Sequence, residues 1–283
     1  MTKRTRRVLF LLAILLFIAA SFIAVAYAQG YKYSFEDKEF VHTGAISLKT
    51  NTDAKIFFDD ELHGSTSFIG SSYGIDRLLP GDYKLRLYRE GFSPWEKSVA
   101  VQEGMRVDFP RILILATSEE ETIKTIADIE QRFNRPNGLV LANAATIAPT
   151  PVPTATPQIT GSPSPGASPS AVELPRFYIE RNILYQTVDG KPEKIAENVS
   201  GFTVSDGNRK IAWWNSHIVW VMWLEDNGYQ PHHKQGDVEL LTRFAAPIER
   251  ATWFDEQDHI VVDSNGYKII EIDKRGGLNI IKI

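Results

Sequence analysis

The sequence predicts a mainly β chain: an N-terminal transmembrane helix, a small β-sandwich, a Pro/Thr-rich linker and a second region of repeated strands. Three observations predict this. The chain opens on an uncharged apolar run, Val8 to Ala28. Two separate regions alternate apolar and polar residues at the two-residue period of strands. A proline-rich stretch divides those regions.

Val8 to Ala28 carries one aliphatic hydroxyl, Ser21, and no charge. At helical rise it spans roughly 30 Å, the thickness of a bilayer core. Lys3, Arg4, Arg6 and Arg7 precede it and no comparable cluster follows. The positive-inside rule therefore leaves residues 1–30 as a cytoplasmic basic tip plus a single-pass anchor in the cell membrane, with the bulk extracytoplasmic. Tyr27, Tyr31, Tyr33 and Phe35 stand where an interfacial aromatic belt belongs. The alternative is secretion after cleavage near Ala28, since Ala26-Tyr27-Ala28 fits a small-x-small site. The length of the apolar run favours a retained anchor over the shorter apolar region of a signal peptide.

The 283 residues suffice for about two ordinary domains. The formal charge is −4; without the four N-terminal cations the remainder holds 27 basic against 35 acidic groups, a net of −8. Such a surface repels phosphate backbones, so nucleic acid is excluded as a natural partner. Cysteine is absent, which removes disulfides, thiolate metal sites and Cys nucleophiles.

Residues 31–116 form the predicted sandwich. Ala45–Lys49, Ala54–Phe58, Tyr83–Arg89 and Lys97–Val101 alternate as antiparallel strands over one core. Turn signals lie between them at Asp59-Asp60, Pro80-Gly81-Asp82 and Glu90-Gly91. Pro80, Gly81 and Tyr83, followed by Gly91-Phe92, resemble the second half of a PEGA domain. That family places P-G-x-Y before a strand and G-[YF] just after it. The first half is similar through Thr43–Leu48 and Ala54–Asp59. It departs where Asn51-Thr52-Asp53-Ala54 replaces the namesake Pro-Glu-Gly-Ala and Thr66-Ser67 replaces Thr-Pro. The resemblance covers about a quarter of the chain and implies an inward-packed Tyr83, a reversal at Gly91 and an affinity for cell-wall sugars.

Residues 117–143 are expected to hold a short helix and a connector. Ser118 caps the helix, Glu119 to Glu121 suit its first turn, and Ile123, Ile126, Ile129 and Phe133 share one face. Residues 144–175 contain eight of the fifteen prolines, among Thr, Ser, Ala and Gly, the composition of a disordered linker.

Residues 176–283 contain a repeat. Residues 203–224 align without a gap to 252–273, so that Asp206 meets Asp255 and Ile211 meets Ile260. An offset of 49 lies within the period of propeller blades. Ser205-Asp206-Gly207 before Lys210-Ile211-Ala212 resembles the S-x-D-G-x-x-I-A signature of TolB-like and other WD-type propellers, in which the Asp-Gly turn joins two blade strands. The reading is a partial β-propeller of about two blades. Closure takes at least four, so the chain is expected to belong to a longer protein.

Candidate chemistry is sparse. His232-His233 reads as a solvated loop pair, and Asp59-Asp60-Glu61 as a hairpin tip without calcium-loop spacing. Asn198-Val199-Ser200 fits a glycosylation sequon of low specificity. No serine-hydrolase, zinc-protease, P-loop or dinucleotide motif occurs. No catalytic, cofactor or metal residue is nominated. Trp213, Trp214, Trp220, Trp223 and Trp253 crowd the repeats, where strand alternation puts some of them in the core. Trp95, Trp214 and Trp223 are the candidates for stacking on a sugar face. The expected function is that of a non-enzymatic, membrane-anchored cell-envelope protein of bacterial type, contacting surface glycans or envelope proteins. The alternatives are an accessory or sensor subunit of a membrane complex, through a small-residue face at Ala13, Ala20 and Ala24, or an enzyme whose propeller site needs further blades.

Overall fold

A computed structural model of the chain describes residues 2–36, 38–66, 70–134 and 175–283. The expected linker lies outside these residues except for Pro175, as does the connector from 135 onward.

Helix α1 (Lys3–Ala28) begins at Thr2, whose Oγ1 accepts the Thr5 N–H at 3.3 Å. Its apolar window has a mean hydropathy of 3.1 and none of it is buried, which fits a membrane span or a signal sequence. Gly30, at φ 89°, turns the chain into an antiparallel hairpin of β1 (Tyr31–Ser34) and β2 (Glu39–His42).

Seven strands follow: β3 (Gly44–Thr50), β4 (Lys55–Phe58), β5 (Glu61–Ser65), β6 (Ser72–Leu78), β7 (Gly81–Tyr88), β8 (Trp95–Val101) and β9 (Arg106–Ile112). They form two sheets, β6-β3-β9 and β5-β4-β7-β8. The sheets share a core: Ile46, Leu48, Ile75 and Phe109 from one meet Ile56, Leu85, Leu87 and Val99 from the other. Every strand pair in the two sheets is antiparallel except one. β3 and β9 run parallel, from Ala45↔Arg106 to Thr50↔Ile112, which corrects the all-antiparallel expectation. A parallel pair needs a long crossover, and here the whole second sheet supplies it. Tyr83 packs against the core, its ring stacked 4.6 Å from Phe58 and its hydroxyl donating to the Leu79 carbonyl. Gly91, at φ 75°, makes the reversal between β7 and β8, a conformation that glycine adopts without steric cost.

Helix α2 (Glu119–Asn134) carries its acidic residues in the first turn, where the helix dipole favours them. Ile129 is its one fully buried residue, and Ile123 is exposed.

Eleven strands complete the chain. β10 (Phe177–Glu180), β11 (Ile183–Val188) and β12 (Lys191–Glu197) make a three-stranded sheet. β13 (Gly201–Val204), β14 (Lys210–Trp214), β15 (Ile218–Trp223) and β16 (Val238–Arg243) make a four-stranded meander. β17 (Arg250–Trp253), β18 (His259–Asp263), β19 (Tyr267–Glu271) and β20 (Ile280–Lys282) make another. The 49-residue repeat is thus a repeat of structure, since β13, β14 and β15 start 49 residues before β17, β18 and β19. The Asp206-Gly207 turn joins β13 to β14, with Gly207 at φ 76°. Asp206 N–H also donates to the Glu256 carbonyl at 3.0 Å, tying one meander to the next.

The three sheets stack through alternate faces. Ile211, Trp213 and Met222 face Phe177 and Leu184, while Ala212, Trp214 and Val221 face Ala251, Trp253 and Ile260. The free face of the last meander is not left bare. Val261 and Ile269 pack on Ile129 of α2, with Leu113, Leu115 and Phe133 around them. This differs from the exposed apolar end that an open array of blades implies.

Candidate functional site

The expected order of anchor, sandwich, spacer and blades places the two β regions apart. In the structure they are in direct contact, and the polar groups gathered at that contact form the candidate site.

The first cluster is built on β8. Trp95, Lys97, Val99 and Val101 all occupy the buried phase of this strand. A lysine in that phase needs compensation, because an ammonium sealed from water without partners is costly. Lys97 reaches the last meander, with its side chain 0% exposed and Nζ 3.3 Å from Glu271 Oε2. It also donates to the Asp273 carbonyl and to the Gly277 carbonyl, the latter at 2.8 Å. Glu271 Oε2 further accepts from Trp95 Nε1 and Asn279 Nδ2, both at 3.0 Å. The backbones are close here too. Ser98 N–H donates to the Gly276 carbonyl at 2.9 Å, and a Cβ on Gly276 would stand 2.0 Å from the Ser98 carbonyl oxygen.

A second cluster is centred on Lys210, which begins β14 and is buried. Its Nζ donates to Tyr229 Oη at 3.0 Å, the Gln257 carbonyl at 3.0 Å and Asp258 Oδ1 at 3.2 Å. Tyr229 donates to the same Asp258 oxygen at 2.5 Å. From the sandwich, Arg111 Nη1 comes within 3.1 Å of Asp258 Oδ2 as an ion pair without hydrogen-bond geometry. Burial lowers the Lys210 ammonium below the usual lysine value, an effect partly offset by Asp258. Burial also raises the Tyr229 phenol, and the Asp258 charge adds to that rise.

A third link joins α2 to the last meander. Arg250 clasps Glu130 with two nitrogens, at 2.8 and 3.2 Å, and Tyr267 donates to the same carboxylate. The Arg250 guanidinium also lies 4.2 Å from the Phe133 ring centre. Within the meander itself, Asp255 Oδ1 accepts the Gln257, Asp258 and His259 N–H groups, and Oδ2 lies 2.5 Å from His259 Nδ1. Burial raises the Asp255 carboxyl, but the His259 and backbone contacts outweigh it and bring the value down to about 2.

Chemically, the two buried lysines have little left to offer. An ammonium has three N–H bonds and no acceptor. Lys97 and Lys210 each have three protein partners, so neither has a free donor aimed into open space. What is open is a cleft of about 530 Å³ between the regions, lined by Val99, Met105, Arg106, His232 and Arg275 among others. Arg275 is held in place by Asp273, by Gln230 and by the Asp108 carbonyl. A smaller cavity of about 30 Å³ lies next to Lys210, Trp223 and Tyr229.

The sequence-nominated aromatics do not line that cleft. Trp95, Trp214 and Trp223 are 2%, 7% and 2% exposed, so none presents a ring face for a sugar to stack on. Trp95 bridges to Glu271, Trp214 belongs to the core between the meanders, and Trp223 stacks on His233 with ring centres 3.6 Å apart. The adjacent histidines also separate. His232 is exposed, whereas the His233 side chain is only 12% exposed, which corrects the picture of a solvated pair. Burial holds the His233 imidazole below the usual histidine value despite Glu239 and Asp237. Among the described residues no group of three or more His, Asp or Glu is placed to hold a metal ion. Sequence reasoning missed Lys97, Lys210, Glu271 and Asp258. A signal for Lys97 was present: it is the one charge in the apolar phase of Trp95-Val99-Val101.

No protein-family model matches the chain, and no curated protein matches it.

Proposed function

We propose that this chain is a membrane-anchored, non-enzymatic binding protein of the cell envelope, in which a PEGA-like sandwich and propeller-type sheets act as one body toward an extracytoplasmic glycan or protein. One observation carries the reading. The buried lysines where acid–base chemistry could reside are saturated by protein partners, Lys97 across the contact between the regions and Lys210 between the two meanders, so they hold the body together, while the open cleft beside them is lined by Val99, Met105, Arg106 and His232. The turn at Pro80-Gly81 before β7, the reversal at Gly91 and the inward Tyr83 support the PEGA likeness. The two four-stranded meanders at a 49-residue offset support the propeller likeness. Lys3, Arg4, Arg6 and Arg7 ahead of the unburied apolar α1 support an anchor with a cytoplasmic N-terminus. The wholly exposed helix face with Ala13, Ala20 and Ala24 supports the second reading, an accessory subunit docking on other membrane helices.

The test has two arms. In intact cells, an N-terminal tag is expected to resist external protease while the bulk of the chain is digested; a digested tag overturns the orientation. In detergent, the full chain is passed over immobilised cell-wall glycan beside a Met105→Glu/Arg106→Glu variant. Retention that falls in the variant supports glycan contact through the cleft. Equal retention of the two, or none, overturns it.

A further inference from the structure

The β1–β2 hairpin has two chemically different faces. Cross-strand partners share a face of a sheet and neighbours along a strand alternate. The register Tyr31↔His42 and Tyr33↔Phe40 therefore gathers Tyr31, Tyr33, Phe40 and His42 on one side, and leaves Lys32, Ser34, Glu39 and Val41 on the other. Phe35, at the turn, is 87% exposed and Phe40 is 45% exposed. The rings form a connected group, with Tyr33 5.2 Å from Phe35 and 5.3 Å from Phe40.

This aromatic face is aimed at the anchor helix. The Phe40 ring meets Phe22 edge-on at 6.4 Å, and Phe22 lies within the apolar run of α1, well before its last residue. The hairpin thus folds back beside the helix toward the membrane instead of rising away from it. Its base is fastened. The Gly30 carbonyl accepts from Thr43 N–H at 2.8 Å and Thr43 Oγ1 at 2.7 Å. His42 Nε2 lies 3.0 Å from the Gln29 carbonyl, and His42 N–H donates to Glu103 at 2.9 Å. The Arg77 guanidinium sits 3.9 Å over the Tyr27 ring.

We propose that this hairpin is a second membrane contact: its aromatic face lies in the headgroup–acyl boundary beside α1, on the side of the membrane opposite the basic tip. Resting on the reading of α1 as an anchor, this is a continuation of the helix's own lipid-facing surface. Exposed Phe and Tyr on one side, with Lys32, Glu36, Lys38 and Glu39 close by, is the composition of an interfacial element. The rings gain from the boundary while the charges remain at headgroup level, since charge in the hydrocarbon is costly. The consequence is orientation. With the hairpin in the boundary and its base bonded to the sandwich, the sandwich stands on the bilayer in one attitude and does not swivel on a flexible neck.

The absence of cysteine makes the test direct, because single cysteines can be introduced without removing any native one. Spin labels are placed one at a time at Phe17→Cys in the helix, Glu36→Cys at the hairpin turn and Leu62→Cys on β5, which is exposed and belongs to the sandwich. The full chain is reconstituted in phosphatidylcholine nanodiscs, and collisions with oxygen are compared with collisions with a water-soluble nickel chelate. The expected oxygen-to-nickel ratio is highest at 17, several-fold above the Leu62 value at 36, and lowest at 62. Adding Phe35→Ser and Phe40→Ser should bring the label at 36 down toward the value at 62. A label at 36 equal to that at 62, with 17 still lipidic, overturns the hairpin contact and leaves the anchor standing. An aqueous label at 17 overturns both.

Discussion

Glu271→Ala removes the counter-ion of Lys97 at the contact between the sandwich and the last meander. The ammonium is fully buried, and its carboxylate partner is 7% exposed at 3.3 Å. Deleting one partner of such a pair leaves an uncompensated charge and costs about 3–5 kcal/mol. Lys97 keeps the Asp273 and Gly277 carbonyls, which places the expected loss near the lower end, about 3 kcal/mol. The same substitution strips an acceptor from Trp95 and Asn279. Urea unfolding of the full chain in detergent, followed by tryptophan fluorescence, should show a midpoint lower by about 1–3 M, given an m-value of about 1–3 kcal/mol/M. The pair joins two regions, so the transition should also broaden or split. The companion Lys97→Met/Glu271→Leu removes both charges and should unfold within about 1 kcal/mol of the parent, or later. A Glu271→Ala loss below about 1 kcal/mol, the range of an exposed pair, would refute the reasoning by showing that water reaches Lys97.

Ile129→Ala should destabilise by about 2–4 kcal/mol and raise binding of an apolar dye, because it uncovers Val261 and Ile269; the exposed Ile123→Ala should do neither. Gly276→Ala combines φ 66° with a Cβ 2.0 Å from the Ser98 carbonyl oxygen, so a loss of about 2–4 kcal/mol in the same urea assay is expected. Gly74→Ala, with nothing within 4 Å, is its control and should cost little. Asp255 has a carboxyl depressed to about 2, so its contribution is complete above the unfolded value near 3.9 and is lost as pH falls through about 2. Its side chain is 34% exposed, and solvent screening keeps that contribution to about 1–2 kcal/mol. Asp255→Asn should therefore flatten the stability profile between about pH 4 and pH 2, as measured by thermal melts across that window.

Local pattern made several elements legible. The four strands read from alternation correspond to β3, β4, β7 and β8, and of the stripe Ile123, Ile126, Ile129 and Phe133 the structure packs Ile129 and Phe133 against the last meander while Ile123 is exposed. Strand parity does separate Trp213 from Trp214, but both faces of β14 are core, so the expectation that Trp214 presents a ring to a sugar fails. Other strands were hidden for physical reasons. β5 and β6 are mostly exposed, so Glu61-Leu62-His63-Gly64-Ser65 and Ser72-Tyr73-Gly74 carry too few apolar residues to show a period. β9 contains Pro110, which argues against a strand until its place at the edge of the β6-β3-β9 sheet is known. The candidate site was the least legible part. His233 shares a polar loop with Lys234 and Asp237, and nothing in that loop foretells the Trp223 ring beneath it.

The sequence by itself determined the apolar length of α1, the period of the strands, the turns at Gly91 and Gly207, and the 49-residue repeat. The helix, the strand period and the turns depend on neighbours a few residues apart, and the repeat is the same local pattern written twice, so composition and spacing suffice to encode them. The tertiary structure decided the rest: that β9 pairs parallel with β3, that α2 covers the last meander, that Lys97 meets Glu271, and that Trp95, Trp214 and Trp223 are buried. Those outcomes turn on which surface is closest to which between segments distant in the chain, from the 61-residue separation of Ala45 and Arg106 to the 174-residue separation of Lys97 and Glu271, and a one-dimensional pattern carries no term for that. A buried lysine makes the difference plain. In sequence Lys97 looks like a solvent-facing charge misplaced in an apolar phase, and only the carboxylate and carbonyls arriving from the far end of the chain make that phase tenable.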